Sequence, residues 1–395
     1  MSWKSLKVDD MLLPIYGDRP LQIVRGQGCL VFDAAGTPYL DFITGIGVNA
    51  LGHGHPRILD ELRQQAELCI HTSNLHSHPY QDPLAAKLAE WTGLDKVFFS
   101  NSGSEAMEAA LKAARARANM RGRRRHRIIA LENGFHGRTA GSLALTSKPE
   151  YREPFLPLVP DVTFVPVNDV AALHAAANED TIAIVAETIQ GEGGIRPLSQ
   201  PFLAAIRNVA NERDALWIAD ETQCGLGRTG ERFAYREFGR PEIVVTAKPL
   251  GGGLPLGATI FTDSACEAIG LGMHGTTFGG GPLACRVAIA FLEEVDLLLP
   301  AIRQNGAYLQ AQLLLLQADR PIVREVRGCG LMAGIELTES GEPFVQQALA
   351  AGLVINCTHG NVLRLLPPYI AGQAEIDRAV SILRRILATS PSRTS

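Results

Sequence analysis

Three ionisable side chains stand at the ends of apolar runs: TIAIVAE ends on Glu187, ALWIAD on Asp220 and EIVVTAK on Lys248. One such residue is an ordinary strand-to-loop position. Three together suggest a site, because ligands of open α/β sheets collect outside the carboxyl ends of the strands. Lys248 is the most demanding of the three. Placed between a buried strand and the stretch PLGGGLPLGA, its amine loses hydration and favours a neutral or covalently bonded state. A fourth element, KVFFSNSGSEAMEAALKAAR, reads as strand, turn and helix, with Ser102 and Glu105 in the S-x-x-E pattern of a capping box. Free N–H groups, Gly103 and the Ser104 hydroxyl then meet at the positive end of the helix dipole, which is an anion cradle. A well-capped helix alone has the same signature, so the cradle gains meaning from sharing an edge with the other three.

A lysine, a strand-end aspartate and a phosphate cradle suit pyridoxal 5'-phosphate. Lys248 would bond its aldehyde, Asp220 would keep the ring nitrogen protonated, and Gly103 with Ser104 would hold the phosphate. The elements that must position these groups are legible between about residues 96 and 262. There the short apolar runs KVFF, RIIAL, VTFVPV, TIAIVAE, ALWIAD, EIVVTA and GATIFT alternate with helical stretches. Apolar runs separated by helices predict strands buried on both faces, hence a mostly parallel sheet. Upstream, GCLVFDAAGTPYLDF predicts a hairpin, and downstream CRVAIAFLEEVDLLLPAIRQNGAYLQAQLLLLQ predicts long helices. The expected layout is a large central α/β domain over 56–287 and a smaller α+β domain built from both chain ends, 1–55 and 288–395.

The chain has 395 residues, 46% hydrophobic and 20% charged, enough for a large core, and its net charge of -4 gives no reason to expect nucleic acid or an anionic membrane as partner. Its 7 cysteines are odd in number and never spaced CxxC, which predicts reduced thiols in a cytoplasmic protein. The N-terminal MSWKSLKVDDMLLPIYG lacks the apolar core of a signal peptide, no run reaches the length of a membrane span, and the polar tail TSPSRTS is expected to fray.

At these motifs the sequence resembles the class-III, ornithine-type aminotransferases, a branch of the aspartate-aminotransferase fold (type I). DETQCGLGRTG, TAKPLGGGLPLGA and HGTTFGGGPLAC occur in that order, and the likeness runs from GHGHP to VLRLLPP. It implies that Phe135 stacks on the pyridine ring, that Gln223 bonds the ring oxygen, and that Thr277 reaches the phosphate of a partner subunit in a homodimer with shared sites. It also implies a substrate-binding set. Arg138 would pair with a substrate carboxylate and Arg364 with the second carboxylate of glutamate or 2-oxoglutarate. Glu192 would neutralise Arg364 when that carboxylate is absent, Thr276 would contact substrate from the other subunit, and Glu187 joins the same set. Gly45 falls where relatives acting on free ornithine carry a tyrosine, which favours an acylated donor. Gly281 and Met107 depart from the asparagines usual in the family.

The implied reaction moves the terminal amino group of an acylated ornithine to 2-oxoglutarate, acetyl being favoured by chain length and overall resemblance. Succinylornithine, 4-aminobutyrate and aminoadipate-pathway donors, or an aminomutase, are alternatives. A non-catalytic regulatory protein is the remote one, since Lys248, Asp220 and Arg138 are all intact. Three features read as decoys. The basic run at residues 115 to 127 lacks interleaved aromatics and reads as a solvated surface loop. GCGLMAG has the wrong spacing for a dinucleotide loop and reads as a strand entry in the small domain. His53, His55, His71, His76 and His78 read as loop or capping residues, with no metal expected.

Overall fold

The computed structural model describes residues 13, 15–17, 19–124, 126–159 and 161–388. Most of the N-terminal segment and the C-terminal tail lie outside these. All seven apolar runs are strands of one sheet, in the order Lys96–Ser100, Gly257–Phe261, Ile243–Thr246, Leu216–Asp220, Thr181–Ala186, Arg127–Leu131, Val162–Val165. Gly257–Phe261 pairs antiparallel with both neighbours and the remaining pairings are parallel. The antiparallel strand follows from its connection: residues 247–256 are too few for the crossover that a parallel return requires.

Alternate strand residues feed two cores. Ile129, Ile184, Trp217, Ala219 and Val244 pack on one side with Phe202 and Ile206 of the helix Gln200–Glu212. Ile128, Val185, Ile218 and Val245 pack on the other with Ala106, Ala110 and Ala114 of the helix Gly103–Met120. Met107 is fully buried in that second layer, and Gly281 caps the helix Pro282–Asp319 with ordinary backbone angles.

The hairpin Leu30–Phe32 and Pro38–Asp41 exists and is joined by Arg25–Gln27 on one side and, in parallel, by Leu353–Val354 from the far end of the chain. An antiparallel sheet of Val323–Cys329, Met332–Leu337, Val362–Leu365 and Asn356–Thr358 carries Arg364, and the GCGLMAG stretch forms its first turn. Instead of several helices, Pro282–Asp319 is one helix of 38 residues running through Pro300. Its first half holds the helix Pro56–Leu68 through Arg286–Glu61 at 2.6 Å and Glu293–Arg57 at 2.8 Å. Its second half holds the C-terminal helix Gln373–Ile386 through Tyr308–Asp377 at 2.6 Å. The division between 287 and 288 therefore falls inside a continuous element.

The basic run differs from the expected solvated loop. Its first part is helical, and Arg117 and Arg121 converge on Asp214 at 2.6 and 2.5 Å while Arg123 donates to the Thr181 and Arg213 carbonyls. The cations brace the helix against the sheet, which no local spacing reveals because Asp214 lies far away in sequence.

Candidate active site

Three adjacent parallel strands end together. Asp220 is in register with Val245, and Ala219 with Ala186, so Glu187, Asp220 and Lys248 emerge along one edge. With the start of the helix Gly103–Met120 they line a cavity of about 390 Å³ whose walls include Asn101, Ser102, Phe135, His136, Glu192 and Gln223. That volume suits a cofactor-sized ligand. Val48, from the turn after Thr44, forms part of its mouth.

At the start of the helix Gly103–Met120, the Ser102 hydroxyl caps Glu105 N at 3.2 Å, while the Glu105 carboxylate accepts from Asn101 N at 2.5 Å. The reciprocal bond of the capping box thus reaches one residue further back than the sequence suggests. Beyond the capped Glu105 N–H, the residues at the start of the first turn, Gly103 and Ser104, line the cavity. Gly103 is closely packed, since a Cβ there would stand 2.9 Å from Thr222 Cγ2 and force that side chain to shift. The Ser104 hydroxyl accepts from Arg138 N at 3.1 Å, tying the GFHGRT loop to the cradle.

Asp220 is 3% exposed; its Oδ2 is 2.8 Å from His136 Nδ1 and its Oδ1 accepts from Thr222 N at 3.1 Å. Burial pushes the Asp220 carboxyl up, but the hydrogen bond and charge of His136 outweigh it and hold the group below its usual range. Conversely, burial pushes His136 down, yet Asp220 raises it above the ordinary histidine value. A carboxylate offers about four lone-pair sites, so Asp220 keeps capacity for a ring N–H. His136 was not singled out in the sequence; its signal is its position in GFHGRT beside Phe135, but its partner is 84 residues away.

Burial depresses the Lys248 amine, and Arg364 adds to this, against the opposing charges of Asp220, Glu192 and Glu187. Its backbone is left-handed, φ 40°, strain of a kind that collects at functional positions. Glu187, 6% exposed and pushed by burial up to about 7, has both oxygens engaged: Oε1 accepts from Phe135 N at 3.0 Å and Oε2 from Gly191 N at 2.9 Å. It braces the two loops that flank the cavity.

Arg364 is fully buried behind Glu192 and Gln223. It donates to Glu192 Oε1 at 2.6 Å, to Gln223 Oε1 at 3.1 Å and to Asn356 Oδ1 at 3.1 Å. Burial raises the Glu192 carboxyl, but Arg364 lowers it more. With its oxygen taken by Arg364, Gln223 offers its amide N–H groups to a ligand acceptor in the cavity it lines. Thr358 Oγ1 donates to the Glu192 carbonyl at 2.5 Å.

Arg138 does not line the cavity. Its guanidinium is exposed and stacks on Tyr151 at 3.8 Å, with Phe135 at 5.4 Å. Thr276 accepts from Asn101 Nδ2 at 3.2 Å, and Thr277 is exposed outside the cavity among the exposed Leu271, Met273 and Phe278. Gly45 lies in a left-handed turn in which Thr44, Gly45, Ile46 and Gly47 have φ of 51, 63, 61 and 81°. The turn is tied by Thr44 Oγ1 to the Leu366 carbonyl at 3.0 Å. Among the described residues no cluster could hold a metal ion; His53 bonds Asp41 and His78 the Gly280 carbonyl.

The model of the family described as aminotransferase class-III matches residues 15–387. The chain belongs to the class-III aminotransferases. This class-III aminotransferase is 44% identical over 379 residues to the acetylornithine aminotransferase of Aquifex aeolicus (strain VF5), covering 95% of this chain and 99% of that one. It superposes with a TM-score of 0.86 and 31% identity on the acetylornithine aminotransferase of Elizabethkingia anophelis, over 96% of this chain and 97% of that one. The ornithine aminotransferase of Toxoplasma gondii, crystallised with oxidised glutathione and carrying PLP at partial occupancy, gives a TM-score of 0.91 at 30% identity over 96% and 93% of the two chains. As a class-III aminotransferase, the chain has the fold of the type I enzymes.

Proposed function

We propose that the enzyme uses pyridoxal 5'-phosphate to move the terminal amino group of an N2-acylated ornithine, the acetyl derivative foremost, to 2-oxoglutarate. The observation that carries this reading is the buried Arg364 covered by Glu192 at 2.6 Å. One pocket can present a neutralised wall to a donor with an amide-like far end and a bare guanidinium to an acid with two carboxylates. The names and cofactor of the relatives support the same assignment.

The cofactor supplies an aldehyde that bonds the amine and a protonated ring that accepts electrons from the adjoining carbon. Gly103 and Ser104 would hold the phosphate on backbone N–H groups, and Phe135 would cover the ring. Gln223 would donate to the ring oxygen, and Asp220, oriented by His136, would keep the ring nitrogen protonated. As a neutral amine, Lys248 would be the group that carries the proton between the two carbons, a role its depressed pKa favours. Arg138 swings from Tyr151 to the donor α-carboxylate. Glu187, with both oxygens on backbone amides, serves as a positioning residue. Thr277 and Thr276 act on the cavity of a second copy; the exposed apolar surface around Thr277 supports a homodimer. No disulfide links the cysteines among the described residues, which supports a cytoplasmic location.

Two measurements test the reading. With the α-amino group acylated, only the terminal amine can react, so orientation alone fixes the nitrogen. kcat/KM for N-acetylornithine is expected to exceed that for free ornithine by roughly 100-fold, about 3 kcal/mol, with N-succinylornithine and 4-aminobutyrate in the same panel. A preference for free ornithine or 4-aminobutyrate overturns the substrate assignment. In Glu192→Ala, the α-amino group of glutamate-like donors should gain reactivity relative to the terminal amine of the acylated donor. An unchanged ratio counts against the Glu192 and Arg364 switch.

A further inference from the structure

A second cavity, about 680 Å³, opens beside the first, and Phe135 and Glu192 line both. Its other walls include Lys148, Thr358, His359 and the acids Glu150 and Glu342. We propose that this cavity receives the Glu192 carboxylate when a dicarboxylate claims Arg364, with Lys148 and His359 as the groups that hold it there. The inference rests on the switch reading above and names where the displaced charge goes.

The backbone leaves side-chain rotation as the route. Gly191 N donates to Glu187 Oε2 at 2.9 Å, and the Glu192 carbonyl accepts from Thr358 Oγ1 at 2.5 Å. The Gly193 carbonyl accepts from Arg196 Nε at 3.2 Å and the Gly194 carbonyl from Arg327 Nε at 2.7 Å. Moving this loop as a body breaks four hydrogen bonds, whereas turning Glu192 breaks only those of its carboxylate. Glu192 already touches a wall of the second cavity: its Oε2 is 3.5 Å from Thr358 Oγ1, and its side chain is 36% exposed although that of Arg364 is 1% exposed.

The surroundings favour an arriving anion. His359 follows Thr358 with a left-handed φ of 52°. Burial, Arg196, Arg327 and Lys148 all hold its ring below the usual histidine range, with Glu336 opposing. Glu336 is itself engaged by Arg327 at 2.6 Å and Arg324 at 3.0 Å. Lys148 extends over Tyr151 at 4.9 Å, the ring on which Arg138 also stacks. A carboxylate placed between Lys148 and His359 would gain the attraction of the Lys148 charge and a hydrogen bond from the imidazole, against the repulsion of Glu150 and Glu342 on the same walls.

The test uses holoenzyme and follows each half-reaction by rapid mixing, with N-acetylornithine for the first and 2-oxoglutarate for the second. His359→Gln and Lys148→Met are each expected to raise the half-saturating 2-oxoglutarate concentration by about fivefold to tenfold, the scale of one lost charge-assisted contact. Maximal rates and the donor half-reaction should stay unchanged, which also verifies folding in both variants. In a Glu192→Gln background neither substitution should add anything. An effect confined to the donor assigns the cavity to the acyl end of the substrate and overturns the proposal. So does an effect that persists without the Glu192 charge, or no effect in either variant. If Glu192→Gln alone leaves both half-reactions as in wild type, the switch reading itself fails and the receptacle with it.

Discussion

Turnover should vanish in Lys248→Ala, a fall of at least about 10⁴-fold, the upper end of what one positioned proton carrier contributes. Among the described residues Lys248 is the sole lysine lining the first cavity, so none of them can take over. Its left-handed φ of 40° and its place between the strand Ile243–Thr246 and Pro249 give the amine a fixed bearing toward Asp220 and Glu192. The same variant should lose the visible absorbance of the covalently bound cofactor while retaining noncovalent binding through the cradle and Phe135. Absorbance spectra and single-turnover rates check both. Normal turnover in the variant removes Lys248 from the chemistry.

Asp220→Asn is expected to slow the proton-transfer step by at least about 100-fold, on the scale of removing one preorganised electrostatic group. The amide keeps the shape of the carboxylate and the bond from Thr222 N but loses the charge that holds the ring nitrogen protonated. Two interactions are altered together, because Asp220 is also what raises His136 above its ordinary value. In the variant that support is lost, and burial pushes the imidazole downward against the charge of Glu187 alone. Half-reaction rates for each substrate are the measurement, and rates equal to wild type refute the assignment.

The central sheet is legible because strands buried on both faces need unbroken apolar runs, and each of the seven runs is a strand. The edge is legible for the same reason, since an ionisable residue ending such a run has nowhere to go but out of the sheet. What surrounds those residues is not legible. His136 finds Asp220 across 84 residues, and nothing in GFHGRT encodes the partner. Glu187 looks available in sequence, yet both oxygens are taken by amides of two separate loops. Arg138 is recognisable by motif, whereas its stacking on Tyr151 depends on how residues 146–151 fold back. The antiparallel Gly257–Phe261 was hidden among parallel neighbours because its pattern reports burial and not direction.

The left-handed turn Thr44–Gly47 has an evolutionary consequence. Two β-branched residues, Thr44 and Ile46, already occupy a region that costs an L-residue roughly 1–2 kcal/mol. Placing a tyrosine at position 45, as the resemblance to enzymes of free ornithine suggests, would add a third such penalty unless the backbone were rebuilt. The turn is anchored by Thr44 to the Leu366 carbonyl, next to the strand that carries Arg364, so rebuilding it disturbs the dicarboxylate end as well. On the proposed reading, donor preference would be written into main-chain handedness, and drift between the two substrate classes would demand concerted change at opposite ends of the gene.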